Sequence, residues 1–272
     1  MKRLNIIIGL LAFQLLAFSN SAGVRAGGVR SFEPVANKDL PFKVGEKLDY
    51  NIRYGLVKAG EATLEVKRYT NRRSKPAYHM VGTGRTTGMT DWFFPTRDRY
   101  ETYMDTSTLA PVEFIRDIDE GGYEIKRHIF FNQEDKSARD IYRTDTVFSF
   151  EKNMQDIFSA FYYARSMNVD GIQIGDEIVI DVFLDHENFP FKLQYLGIEN
   201  VELDDFTISC MKFLPVVQEG RVFKEKETMT IWVSNDKNRI PVRLQTELAV
   251  GSIKVDLKSY SNLAHPLNRR RN

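Results

Sequence analysis

The sequence contains one cysteine among its 272 residues, and this scarcity limits how the fold can be held together. A single thiol cannot form an internal disulfide, so stability must come from the hydrophobic core. A chain of this size can bury roughly 70–75% of its unfolded surface, which suffices without cross-links. Cys210 lies in the alternating segment 207–214, a pattern that predicts a buried, inert thiol rather than a nucleophile.

Motifs of the common enzyme classes are equally scarce. The four histidines form no HExxH pair, and the sequence has no G-x-S-x-G segment. In residues 82–88, GTGRTTG, the third glycine comes one residue too late for the dinucleotide fingerprint. Asp185, His186 and Glu187 are a candidate acid–base group, but a charged turn between two strands explains them better. We therefore predict no catalytic residue, no metal ligand and no cofactor.

A strong excess of either charge is also missing, with 38 basic and 37 acidic residues. Nucleic-acid binding requires a clearly basic surface, so we do not expect a nucleic-acid partner. After the N-terminus the sequence has no hydrophobic run long enough to span a membrane, so no transmembrane segment is expected in the mature chain.

The N-terminus has the pattern of a signal peptide. Lys2 and Arg3 precede an apolar run at residues 4–18, and small residues follow it. We expect residues 1–26 to be removed, with cleavage near 22–26, and the mature chain to be exported and periplasmic. No cysteine stands at or directly after the cleavage region, so lipid attachment there is not expected.

Most of the remaining chain shows a hydrophobic period of two. The clearest case is residues 222–260, where three consecutive segments each place apolar residues on one face; Ile231, Leu244 and Val255 are examples. About a dozen such segments predict a mainly β fold, a large curled antiparallel sheet that is half-barrel or barrel-like. We expect an extended arm at 27–41, a single β-rich domain at 42–262 and a disordered basic tail at 263–272.

Two segments have helical character. Residues 153–167 predict one amphipathic helix, with Asn153 as the N-cap and an apolar stripe that includes Ile157 and Phe161. Residues 90–95 predict a single helical turn that begins at Thr90, ends at a proline and plugs an opening in the sheet.

Aromatic residues in these two segments are the candidates for a ligand-binding site. They are Trp92, Phe93 and Phe94 in the short turn and Phe158, Phe161 and Tyr162 in the helix. Core packing accounts for both clusters without a ligand, because aromatic side chains dominate cores. Alternatively, the clusters form a lid and a wall over an apolar cavity in the curled sheet.

Four blocks, at residues 42–66, 97–117, 156–165 and 231–257, carry a resemblance to a known family. In their order and spacing they resemble an exported bacterial family, the domain-of-unknown-function family 3108. This resemblance implies no activity. A looser likeness, based on the pattern Trp232…Pro241-Val242-Arg243…Gly251, is to the periplasmic lipoprotein carriers, whose curved sheet holds acyl chains.

These observations lead to three functional hypotheses. The first is an exported, non-enzymatic binding or carrier module of the cell envelope for an amphiphile or lipid. The second is a structural or interaction protein with a packed core that contacts an envelope protein. The third is an enzyme acting on envelope polymers. A lined cavity favours the first hypothesis, a solid core the second and a cleft with converging histidines and carboxylates the third.

Overall fold

A computed structural model describes residues 32–35, 39–143, 146–150, 153–216, 229–248 and 250–272. The expected signal peptide at 1–26 lies outside the described residues. The same is true of most of the expected arm and of residues 222–228, the start of the three closing segments.

The described residues form sixteen strands and two helices. The strands are β1 Lys47–Tyr54, β2 Val57–Arg72, β3 Lys75–Thr86, β4 Thr96–Asp105, β5 Pro111–Glu120, β6 Tyr123–Asn132, β7 Ser137–Asp140, β8 Val147–Ser149, β9 Gln155–Asp156, β10 Glu177–Leu184, β11 Glu187–Glu202, β12 Phe206–Val216, β13 Met229–Ser234, β14 Pro241–Glu247, β15 Ser252–Ser261 and β16 Arg269–Arg271. The helices are α1 Gly88–Phe93 and α2 Ile157–Ser166.

All the strands belong to one sheet, in which neighbours along the chain usually pair. The order is β8-β7-β6-β5-β4-β3-β2-β1-β15-β14-β13-β12-β11-β10-β9, and β16 pairs with part of β12. Every pair is antiparallel except β9 with β10. Tight turns join consecutive strands, as at Gly55 and at Gly121-Gly122, where positive φ angles of 56°, 59° and 88° favour glycine. The prediction of a mainly β fold with a large curled antiparallel sheet is confirmed.

The curl brings the two ends of the sheet together without joining them by a strand ladder. The side-chain amide of Asn188 in β11 donates to the carbonyl oxygen of Ser149 in β8, at 2.8 Å. The His186 Nε2 lies 2.8 Å from the Asp140 Oδ2, and the His186 ring stacks on Phe148 with 4.7 Å between ring centres. Side-chain contacts therefore hold together the ends of an otherwise open sheet.

Helix α2 lies against the concave face of the sheet, but it begins later than predicted. Asp156, not Asn153, is the N-cap: its Oδ1 accepts hydrogen bonds from the amides of Phe158 and Ser159, both at 2.7 Å. The Ser159 hydroxyl accepts from the Asp156 amide at 2.9 Å, which completes a capping box. Asp156 also ends β9, so the preceding residues continue the sheet rather than the helix.

The C-terminal residues also differ from the disordered tail that we expected. Residues 269–271 form β16, which pairs with Phe206–Ile208 at the start of β12. The β13–β14 turn fixes the approach, because the Asn238 side chain accepts from the His265 amide at 2.8 Å and Asp236 accepts from the Asn268 amide at 3.0 Å. The Arg269 guanidinium lies over the ring of Phe206, 5.2 Å from its centre. The C-terminal segment is ordered by contacts with residues distant in the sequence. Its charge and composition do not show these contacts.

Candidate binding site

An apolar cavity of about 120 Å³ lies between α2 and the concave face of the sheet. The three closing strands β13, β14 and β15 form one wall, with side chains that alternate toward the cavity. The lining residues of this wall are Ile231, Val233, Leu244, Ile253 and Val255, together with Pro241. The hydrophobic alternation in the sequence thus provides a cavity surface as well as core.

Helix α2 forms the opposite wall of the cavity. Its lining residues are Ile157, Ala160, Phe161 and Ala164, which recur at the i, i+3, i+4 spacing of one helix face. The two alanines leave space where larger side chains would meet the sheet. The small side chains on this face are one reason that the cavity is present.

The cavity communicates with solvent. Phe161 and Ala164 on the helix side and Ile231, Val233 and Leu244 on the sheet side are partly exposed although they line the cavity. Fully packed core residues on the same sheet, in contrast, have almost no exposure. An apolar ligand therefore has access to the space without unfolding of the sheet.

Among the described residues, three arginines and no carboxylate line the cavity. Arg165 is paired with Glu46, and Arg53 is paired with Asp204 at 3.0 Å. The Arg239 Nη1 donates to the carbonyl oxygens of Arg165 and Met167, at 3.1 and 2.6 Å. Carbonyl oxygens do not neutralise the charge of Arg239. This arginine therefore places a positive charge beside the cavity, near the end of α2.

Partial burial lowers the pKa of Arg239, while the carboxylates of Asp170 and Asp236 act in the opposite direction. Arginine nevertheless keeps its proton at neutral pH. The wall is thus suited to a neutral or anionic polar group beside an apolar one, and unsuited to a cation.

The predicted ligand-binding residues do not form one group. Only Phe161 lines the cavity. Phe158 and Tyr162 are fully buried in the core; the Phe158 ring packs against Gly82, and the Tyr162 ring lies 5.3 Å from that of Phe42.

The aromatic plug expected at residues 90–95 is not formed. Trp92 is 80% exposed and Phe93 71% exposed, and α1 has no buried residue. The helix begins at Gly88, not at Thr90, and only Phe94 packs down, against Gly121. Trp92, Phe93 and Phe94 do not line the cavity between α2 and the sheet.

The cavity residues that the sequence analysis missed come from β10, β11 and β12. They include Ile178, Leu193, Met211 and Phe213. Their alternation identifies strands but not which strand faces α2. The two alanines of α2 were the available signal, since small residues within an apolar helix stripe indicate unfilled space.

Each of the four histidines lies within hydrogen-bond distance of one carboxylate or carbonyl oxygen among the described residues. The histidines make separate contacts: His79 with Glu101 at 2.6 Å, His128 with Glu113 at 2.7 Å, His186 with Asp140 and His265 with the carbonyl of Leu40 at 3.2 Å. His79 and Arg99 hold the pKa of Glu101 at about 2, as expected of an ion-paired carboxylate.

Asp185 and His186 form the β10–β11 turn, as predicted. In the part of the chain that the structure describes, no group of three or more histidines, cysteines or carboxylates is placed to hold a metal.

The fold and the cavity define the class: a curled, barrel-like β-sheet protein with an apolar cavity under a single helix. Residues 49–258 match the family described as "Protein of unknown function (DUF3108)", and the chain belongs to this family. Within the described residues, neither helix is long and apolar enough to cross a membrane. No curated protein matches the sequence significantly.

One of the solved structures that the chain resembles shares its fold, at low sequence identity. A beta-barrel-like protein of domain-of-unknown-function family DUF1849 from Brucella abortus superposes with a TM-score of 0.55 and 10% identity, over 81% of this chain and 98% of that chain. A DUF1089 family protein from Pseudomonas aeruginosa gives a TM-score of 0.38 and 11% identity, over 70% and 90% of the two chains. An exported protein with a YmcC-like fold from Bacteroides fragilis gives 0.31 and 11%, over 82% and 98%. The first of these shows the barrel-like fold and nothing about activity.

Proposed function

We propose that this protein is an exported, non-enzymatic binding or carrier module of the cell envelope whose ligand is an amphiphile. The observation that carries the proposal is the solvent-connected apolar cavity between α2 and the sheet. Water in such a space finds few polar partners, so an apolar group displaces it favourably. Each Å² of apolar ligand surface removed from water contributes about 25 cal/mol.

The size of the cavity limits what enters it in this conformation. An apolar cavity of about 150 Å³ holds a molecule as small as benzene, and this one measures about 120 Å³. It accommodates a short segment of an acyl chain or a comparable apolar group. The remainder of a longer chain extends through the partly exposed side between Phe161 and Leu244.

Arg239 supports an anionic or neutral polar end for the ligand. Its guanidinium lines the cavity and, among the described residues, is the one arginine of the lining without an ion pair. A carboxylate or phosphate receives charge-assisted hydrogen bonds from such a group. A fatty acid or a lipid with one accessible chain has this combination of chemistry.

The test is to purify the protein without detergent, extract it with organic solvent and examine the extract for lipids by mass spectrometry. In parallel, a fluorescent fatty-acid analogue is titrated against the parent and against Ala164→Phe, which fills the cavity. Tyr163→Ala on the same helix, outside the cavity, is the matched control. We expect saturable binding by the parent and the control and its loss in Ala164→Phe.

The opposite result has a clear meaning. An extract free of lipid together with unsaturable uptake of the analogue would contradict the carrier role and leave the structural or interaction role in the envelope. Export is tested separately, by fractionation of cells and by the mass of the mature N-terminus. A full-length mass in the cytoplasmic fraction would contradict that part of the proposal.

A further inference from the structure

Several large apolar side chains are exposed in turns that lie at the same end of neighbouring strands. They lie in the β1–β2 turn, in α1 and in the β14–β15 turn, and we call them the apolar rim: Leu56, Val57, Met89, Trp92, Phe93 and Val250. Met89 is 75% exposed and Val250 77% exposed, and Leu56 is fully exposed. Single exposed apolar residues are ordinary, but a group of this kind marks an interaction surface.

Hydrogen bonds hold the three segments of the rim next to one another. The Tyr54 hydroxyl at the end of β1 donates to the carbonyl of Val250 in the β14–β15 turn, at 2.8 Å. The Thr87 amide before α1 donates to the carbonyl of Ala59 in β2, at 3.0 Å. The three segments of the rim are thus neighbours in the fold.

The rim adjoins the cavity. Tyr54 and Ala59, which connect its segments, also line the cavity, as does Ile253 after the β14–β15 turn. The cavity lining therefore reaches the base of the rim.

Charged residues of both signs border the rim, and the acidic β11–β12 turn adjoins Leu56. Residues 54–61 and 85–97 contain three cations and two carboxylates, a net charge of +1, and residues 248–251 contain none. Both carboxylates are neutralised: Asp91 by Arg97 at 2.6 Å, and Glu61 by Lys58 at 2.6 Å and by Arg85 at 3.3 Å.

Beyond α1, the β5–β6 hairpin carries the exposed acids Asp119 and Glu124, which line the same surface pocket as Arg85 and Arg97. Charges of both signs therefore border the rim on this side.

We propose that the apolar rim docks onto the surface of a phospholipid bilayer. Tryptophan and phenylalanine at the tips of turns, flanked by lysine and arginine, have the composition that favours the membrane interface. A peptide partner would instead require a groove or an unpaired strand edge. Here β1 pairs on both sides, with β2 and with β15, so it offers no edge. Docking itself does not depend on the cavity; the transfer of ligand between bilayer and cavity rests on the proposed function.

Trp92 reports on docking directly. The sequence has two tryptophans, and Trp232 is buried, so Trp232→Phe leaves the exposed Trp92 as the single tryptophan, which can be excited selectively. We expect its emission to shift to the blue when vesicles of phosphatidylethanolamine and phosphatidylglycerol are added, and to be quenched by brominated acyl chains. Because burial of the tips drives docking, we also expect binding to zwitterionic vesicles of phosphatidylcholine and persistence in salt, which screens only the charges.

Vesicle flotation compares Trp92→Ser/Phe93→Ser with the control Tyr69→Ser/Ile198→Ser. The control removes residues of similar exposure elsewhere on the protein, 62% and 61%. We expect the rim variant to partition at least about tenfold more weakly and the control to behave like the parent. Equal flotation of both variants, or no blue shift of Trp92, would overturn the proposal.

Sedimentation analysis covers the remaining occupant, a second copy of this chain. If the parent dimerises, the rim variant does not, and neither floats with vesicles, the rim is a dimer contact and the membrane proposal fails. The proposed function is judged independently: the rim variant should retain binding of the fatty-acid analogue in solution, whereas Ala164→Phe should lose it and still float.

Discussion

The guanidinium of Arg165 donates two hydrogen bonds to the carboxylate of Glu46, at 2.7 and 2.9 Å, and both side chains are fully buried. The same guanidinium donates to the carbonyl oxygens of Pro41 and Asn238, at 3.0 and 3.1 Å. Burial alone would lower the pKa of Arg165, but the negative charge of Glu46 holds it above its ordinary value. The pair ties the end of α2 to the start of the sheet and to the β13–β14 turn, and so it positions the helix over the cavity.

Glu46→Gln should destabilise the protein by about 3–5 kcal/mol, because it leaves the buried charge of Arg165 without compensation. Urea unfolding followed by circular dichroism measures the change in the free energy of unfolding. The control is Asp204→Asn, which breaks the exposed Arg53 pair and should cost about 1 kcal/mol or less. Equal costs for the two variants would show that the buried pair contributes nothing special.

Asp156 should make stability fall as the pH rises from about 4 to 6. Burial raises the pKa of this carboxyl from 3.8 to about 6 in the folded state, although hydrogen bonds from Thr102 and from the helix amides act against the rise. Below about pH 4 both states carry the proton, and between 4 and 6 the folded state alone retains it. The folded state therefore loses on the order of 2–3 kcal/mol relative to the unfolded state across this window.

Asp156→Asn isolates this effect, because the amide mimics the protonated acid and can still accept from Phe158 and Ser159. Urea unfolding of parent and variant between pH 4 and pH 7.5 should show the difference moving in favour of the variant by that amount. Asp156→Ala removes the cap as well and should be destabilised by about 1 kcal/mol even at pH 4. A pH-independent difference between parent and Asp156→Asn would contradict the raised pKa.

Trp92→Ala and Phe158→Ala should have very different costs although both remove a large aromatic side chain. Phe158 is fully buried against Gly82 and Tyr162, so its truncation should cost about 3–5 kcal/mol. Trp92 is exposed, so its truncation should change stability by about 0.5 kcal/mol or less. Thermal and urea unfolding distinguish the two; a loss of several kcal/mol for Trp92→Ala would place Trp92 in the core.

Cys210 should not react in the folded state. Burial raises the pKa of its thiol to about 12, so the thiolate is scarce at neutral pH. Labelling with a maleimide, followed by mass spectrometry, should be slow in buffer and complete in urea. Cys210→Ala provides the blank, and rapid labelling of the native parent would reveal an accessible thiol.

The sequence predicted element types better than element ends or tertiary placement. The helical stripe of residues 153–167 identified α2, but the choice between Asn153 and Asp156 as the cap depended on β9 joining the sheet beside β10. Trp92 and Phe161 are both large aromatic side chains in helical segments, and either could line a cavity. Which of them reaches the cavity depends on where the sheet places α1 and α2, and no local pattern contains that information.

The sequence by itself determined the class of fold, because the side-chain period of a strand is a local property. The alternation of Ile231 and Val233, and of Ile253 and Val255, required strands with one apolar face wherever they lay in the sheet. Only the tertiary structure decided that these faces meet the two alanines of α2 and leave a cavity rather than a solid core. That outcome depends on packing between distant segments, above all on the Arg165–Glu46 pair, whose partners are 119 positions apart in the chain.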